Sequence, residues 1–265
     1  MVEVISRFNE QGSPIDRLDH DMSHRDDFLT FLNPSGVRTS ALPIEFCILI
    51  TDTLQSPGLF IETHLIHRAL RDQRSVLLLG LSQGLNHYSS ILRKNGIQLN
   101  NEQRQGRFAF VDGGRHDNNN LVEILDATRE AIQRLGPTPL VLVDELSCPL
   151  WAGNSSGQVS TWFMALRALV SGAQGSLVVL LHADDTHTSS PNEDLHLFRR
   201  VLQQSDLWLQ TTSLSSQTRG ELSIHRGPAL IEDYGIIQRS GPTAWHYKLD
   251  ESGATFSLKG LGTLL

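Results

Sequence analysis

Lysine is scarce in this chain: 265 residues include three, Lys94, Lys248 and Lys259. Cysteine is scarcer, with Cys47 and Cys148 alone. Two cysteines exclude a disulfide scaffold and a cysteine-cluster zinc site. Both lie in or beside apolar runs, where a thiol of a reducing compartment is buried. No apolar run reaches the roughly 20 residues that a membrane span needs. Residues 1–7 (MVEVISR) lack the basic-then-apolar layout of a secretory leader. Positive charge is short as well: 22 basic residues stand against 29 acidic ones, a formal net charge of −7. That balance disfavours a generally basic nucleic-acid binder and leaves only local patches. What remains is an ordinary composition, 39% hydrophobic and 19% charged, in a chain long enough for one large core.

The pattern along the chain divides it at residue 40. Residues 1–40 are polar, acidic and broken by Gly12, Pro14, Pro34 and Gly36. They read as an extension, a solvated arm or a strap on a partner, with one short helical turn near 28–32. From 41 to 265 one domain is expected. Apolar runs at 44–51, 75–80, 108–112, 140–144, 176–182 and 206–210 read as strands. Segments 58–71, 86–95, 121–135, 158–171 and 194–204 carry helical spacing. Strands apolar on both faces, alternating with helices, imply a parallel sheet covered on two sides. After residue 211 the rhythm changes to short strands at 221–226, 244–249 and 254–258, with a turn signal at 250–253. The expected fold is therefore α/β, a mostly parallel sheet ending in antiparallel hairpins.

Ligands of such sheets bind beyond the carboxyl ends of the strands, and three ends here look chemical. The first is the segment Thr51, Asp52, Ser56, Pro57 and Gly58, where a phosphate-binding loop would sit. Such a loop needs glycines to free backbone N–H groups, a lysine, and a hydroxyl to hold magnesium. This one has a single glycine, a proline that removes a donor, and Leu59 and Phe60 where the lysine and hydroxyl belong. Autonomous ATP hydrolysis, and with it a nucleotide cofactor, is not expected. The second is Asp144 and Glu145 after 140–144, placed like the magnesium-holding acid and its neighbour in motor ATPases. Without a phosphate loop the pair reads as a capping device for the turn that follows. The third is Gly80, Ser82 and Gly84, a G-x-S-x-G elbow between strand and helix. It nominates a serine hydrolase with Ser82, Asp144 and His225 or His246 in chain order. Against this enzyme, only one clear strand precedes the elbow, and no His-Gly-Gly-type segment lies upstream. For metals, His64 and His67 share a helix while His182 and His187 flank a strand end. No third ligand has suitable spacing, so no metal site is expected.

Several of these pieces together resemble a known family. They are a strand ending in Thr51 and Asp52 before Pro57, Gly58 and a His64-bearing apolar helix; His87 and Tyr88 after the second strand, with Lys94 to Ile97 beyond; the strand that ends in Asp144; and the final segment from Tyr247 to Lys259. From about residue 44 onward the chain is similar to the Elongator complex protein 6 family. That resemblance implies a RecA-like ATPase fold without a working phosphate loop. It implies partnership with Elongator subunits 4 and 5 in a heterohexameric ring, contact with tRNA and with the catalytic Elongator subcomplex, and support of wobble-uridine modification. The location implied is the cytoplasm, with the nucleus as a second compartment. A different nucleotide-free adaptor of the same fold, such as a recombinase paralogue, stays open and would favour single-stranded DNA.

Such a ring needs interface and RNA-contact residues. Trp151, Trp162 and Trp245 fall outside the expected core and are candidates for interfaces, whereas Trp208 lies in an expected strand. Residues 151–157 and 183–192 form loops that face a ring centre by analogy. The second loop is acidic. RNA contacts then fall to arginines elsewhere, with Arg104, Arg107 and Arg115, or Arg199 and Arg200, as the candidates.

Overall fold

The computed structural model describes residues 42–114, 120–184, 192–216, 218–230, 243–250 and 253–259. The extension at 1–40, including its expected helical turn, lies outside them. Nine strands form one sheet in the order β3-β2-β4-β5-β1-β6-β7-β8-β9. The first six positions, β3 (Phe108–Asp112), β2 (Val76–Gly80), β4 (Leu140–Asp144), β5 (Ser176–His182), β1 (Cys47–Asp52) and β6 (Leu207–Ser216), pair in parallel. The last three, β7 (Arg219–Arg226), β8 (Thr243–Asp250) and β9 (Gly253–Leu258), add as antiparallel hairpins. This is the α/β arrangement that the two-faced apolar runs and the later hairpin signals require.

Alternation along each strand sorts its side chains into two cores. Ile48, Ile50, Leu78, Leu142, Val178 and Leu180 face one side, under α1 (Leu59–Arg71), α2 (Leu85–Lys94) and α3 (Leu99–Arg104). Leu49, Leu77, Val141, Val143, Val179 and Leu181 face the other, under α4 (Leu121–Leu135), α6 (Ser156–Gly172) and α7 (Glu193–Gln203). The hairpins curl back over the first core, where Phe60 of α1 packs on Tyr247 (ring centroids 4.6 Å apart) and on Phe256 (6.1 Å). Asn120 caps α4 by accepting from the Glu123 amide.

Two short helices carry too little periodicity to be read from the chain: α3, and α5 (Ser147–Trp151). The first strand begins at Cys47 rather than 44, because Glu45 takes a positive φ of 58° and Ile44 is half exposed. Both cysteines are free thiols, and burial pushes each up to about 12. Among the described residues no helix is long and apolar enough to cross a membrane.

Candidate functional site at the carboxyl ends of β1, β5 and β4

Three neighbouring strands, β4, β5 and β1, end side by side. His182 and Asp52 end β5 and β1, Glu145 follows β4 by one residue, and the strand order puts the imidazole between the two acids. One ligand atom from each lies within 4.8 Å of the others, and all three are largely buried. Spacing along the chain hides this group, because 93 residues separate Asp52 from Glu145 and 37 separate Glu145 from His182. Spacing along the chain gives His182 no third ligand, and Asp52 and Glu145 come near it from neighbouring strands.

The contacts within the group are specific. Asp52 Oδ2 accepts the Gly58 amide at 2.7 Å, and Asp52 Oδ1 lies 3.0 Å from His182 Nδ1. His182 Nε2 sits 2.5 Å from Asp184 Oδ2, which also accepts the Leu54 amide at 2.9 Å. Glu145 turns back over β5 through a positive φ of 62°, and its Oε1 accepts the amides of Ser147 and His182. Burial pushes the Asp52 carboxyl up, against the pull of the Gly58 amide and His182. Burial and the charge of Asp52 raise Glu145 to about 7. Burial alone would lower His182, but the hydrogen bond to Asp52 and the charges of Asp52, Glu145 and Asp184 raise it.

These contacts define what the β1–α1 loop can do. The amide of Gly58, at the N-terminus of α1, would face a phosphate in a working loop. In this chain it donates to the Asp52 carboxylate, so an anionic group of the protein itself holds the place. Ser56 is fully buried; its hydroxyl bonds Tyr247 Oη at 2.6 Å, and its carbonyl accepts from Thr211. Phe60, where a magnesium-holding hydroxyl belongs, is packed into the aromatic cluster. A β-carbon on Gly58 would come within 2.9 Å of Leu180, so this glycine serves close packing of α1 on the sheet.

Asp144 caps a turn, but not the one that follows it. Its Oδ2 accepts the Gln83 amide at 2.8 Å and so fixes the turn after β2. Glu145 is the residue that holds the turn after β4. The hydrolase triad does not assemble. Ser82 and Asp144 end adjacent strands, but β7, which carries His225, stands five strand spacings from β2, about 24 Å. His246, on β8, is one strand farther. Gly80 has another reason to be glycine: a β-carbon there would lie 2.5 Å from the Phe110 ring and 2.4 Å from the Gln83 carbonyl.

The surface candidates separate clearly. Trp151 on α5 is 59% exposed and meets the His182 ring edge-on, with centroids 5.8 Å apart. Leu54 is 76% exposed, and its amide donates to Asp184. Trp162 is corrected from interface to core: with Val159, Phe163 and Leu166 it lies on the sheet-facing stripe of α6. Trp245 is half-buried against the first core. Trp208 packs against the second core, and its indole N–H donates to Thr51 Oγ1 at 2.7 Å. Arg107 pairs with Glu102 and Gln73, which ties α3 to the β2–β3 edge. Arg104 is exposed on α3, and Arg199 and Arg200 are exposed on α7, across the sheet from it. They do not form one patch. Arg115 lies outside the described residues.

The fold is that of the RecA-like α/β domains: a KaiC-like protein from Pyrococcus horikoshii superposes with a TM-score of 0.62 at 8% identity, covering 82% of this chain and 92% of that one. The profile of the family described as Elongation complex protein 6 matches residues 31–136. Elongator complex protein 6 of Xenopus laevis is 25% identical, covering 85% of this chain and 95% of the relative. The zebrafish (Danio rerio) protein of the same name is 24% identical, over 80% and 90%. Over most of its length the chain is thus similar to Elongator complex protein 6.

Proposed function

We propose that this chain is a non-catalytic subunit of Elongator, built on a RecA-like domain whose nucleotide seat is closed. The observation that carries the reading is the Asp52 carboxylate on the Gly58 amide, in a loop that has no lysine. A triphosphate brought there meets a fixed negative charge and finds few free amides. The similarity to Elongator complex protein 6 over most of the chain supplies the assembly. In this reading the chain packs with Elongator subunits 4 and 5 in a hexameric ring, which docks on the catalytic subcomplex and holds tRNA during wobble-uridine modification. The exposed Trp151 and Leu54 are the interface residues of choice, and Arg104, Arg199 and Arg200 the candidate RNA contacts. The net charge of −7 makes the RNA contribution local. The compartment that follows is the cytoplasm, with the nucleus second.

The test is recovery of tagged full-length chain from cells. Co-purification with the other Elongator subunits, and loss of modified wobble uridine from tRNA on depletion, are the expected results. Recovery without those subunits would overturn the assembly. Tight, magnesium-dependent ATP binding by the isolated chain in calorimetry would overturn the closed seat. In the reconstituted ring, reversing the charge of the exposed arginines should weaken tRNA binding. Unchanged affinity for every variant would remove this chain from the RNA contact.

A further inference from the structure

The carboxyl-end cluster contains one residue that the closed-seat reading leaves without a role. Glu62, on the first turn of α1, is completely buried, and neither carboxyl oxygen has a hydrogen-bond partner. The charges that act on it are those of Asp144, Glu145 and Asp52, so it faces the same cluster from the helix side. A carboxyl group in such a place costs stability unless a donor or a cation meets it. Among the described residues, no lysine or arginine pairs with any member of the cluster, and His182 is the single basic group.

We propose that Asp52, Glu145 and His182 form a binding site for one transition-series divalent cation, zinc in the first instance, with Glu62 behind it. The donors are one imidazole nitrogen, Nδ1 of His182, and one carboxylate oxygen each from Asp52 and Glu145. A nitrogen in the set selects borderline ions such as Zn²⁺ or Co²⁺ over Mg²⁺ and Ca²⁺, which favour all-oxygen shells. Two ligands of a tetrahedral zinc ion, each about 2.0–2.1 Å from it, stand about 3.4 Å apart. The group, whose ligand atoms lie within 4.8 Å of one another, therefore draws in by up to about 1.4 Å through side-chain rotation on binding. The outer contacts are those that a metal site requires. Asp184 holds His182 Nε2 and leaves Nδ1 toward the acids. The Gly58 amide orients Asp52, and the Ser147 amide orients Glu145. Three protein ligands leave a fourth position for water, and such a water is the donor that the Glu62 oxygens lack. On binding, the metal takes the place of the proton between His182 Nδ1 and Asp52, which is released to solvent. The inference does not depend on membership of a ring or on tRNA.

The experiment uses the full-length chain with His64→Gln and His67→Gln as the background, so that this helical pair cannot capture metal. Zn²⁺ alone, Co²⁺ alone and Mg²⁺ alone are titrated after chelator treatment. The expected result is one equivalent of Zn²⁺ bound, a raised melting temperature, and a visible ligand-field band with Co²⁺. Mg²⁺ should reproduce none of these. Asp52→Asn and Glu145→Gln keep their amide contacts and should fold, yet lose zinc affinity at least 100-fold. Glu62→Gln should lose about 10-fold, the effect of an outer-shell group. Stoichiometric Zn²⁺ binding that survives both Asp52→Asn and Glu145→Gln would overturn the site, as would absence of any Zn²⁺-dependent stabilisation in the background protein.

Discussion

At the scale of single residues, the most consequential side chain outside the site is Arg74. Its guanidinium donates to the carbonyls of Leu42, Thr138 and Pro139 and to the Ser176 hydroxyl, gathering the amino ends of β1, β2, β4 and β5. Burial lowers it to about 10. Nothing in the sequence marks this arginine among nineteen, because its partners, backbone carbonyls and one hydroxyl, are scattered from residue 42 to residue 176. Arg74→Met fills the volume but strands those acceptors, and should cost roughly 3 kcal/mol in urea unfolding. His225 offers a test of pH dependence. It stacks on Trp208 with centroids 4.6 Å apart, its Nε2 is buried without a partner, and burial lowers its affinity for a proton. The unfolded chain therefore takes up the proton first. Stability is complete above the ordinary imidazole range, near 6.5, and falls as pH drops below it. His225→Phe should flatten the loss of stability between about pH 6.5 and 5. It should not abolish that loss, since His67 is also lowered, by burial and then Arg71. An unchanged slope would show that His225 is not buried in this way.

At the scale of elements, the turn after β2 shows how a motif can belong to packing. Gly80 and Ser82 match a hydrolase elbow in sequence. In space Gly80 makes room for Phe110 and for the Gln83 carbonyl, while Asp144 fixes the Gln83 amide. Gly80→Ala should destabilise the chain by about 2 kcal/mol through overpacking. Gly84→Ala, with open space around it, should be near neutral, and equal effects at the two sites would refute the packing account. The β1–α1 loop is also an element settled from outside: Tyr247 and Thr211, from the hairpin region, hold Ser56. The terminal segment that carries part of the family resemblance is thus a brace for the β1–α1 loop.

At the scale of the whole molecule, two of the exposed apolar residues, Leu54 and Trp151, adjoin the site. The Leu54 amide bonds Asp184 and the Trp151 ring meets His182, at the carboxyl edge of the sheet. As exposed side chains they contribute little to folding. Trp151→Ala should shift unfolding free energy by less than about 0.5 kcal/mol. Recovery of partner subunits should fall by an amount equivalent to about 2 kcal/mol. Full recovery with an intact melting temperature would move the interface elsewhere.

How much of this was legible follows from range. The two-faced strands, the long helices, the late hairpins and the failed phosphate loop are all statements about neighbours in the chain. Hydrophobic burial and backbone geometry act on those neighbours directly, so the sequence by itself determined the α/β class and excluded the lysine that a triphosphate needs. The helices of five and six residues escaped, as did the burial of Trp162 and the hold of Arg74, because each depends on what packs against it. The meeting of Asp52, Glu62, Glu145 and His182 was decided by tertiary structure alone. Strand order, set by which apolar faces bury together, put three distant strand ends side by side and laid a helix with a bare carboxylate over them.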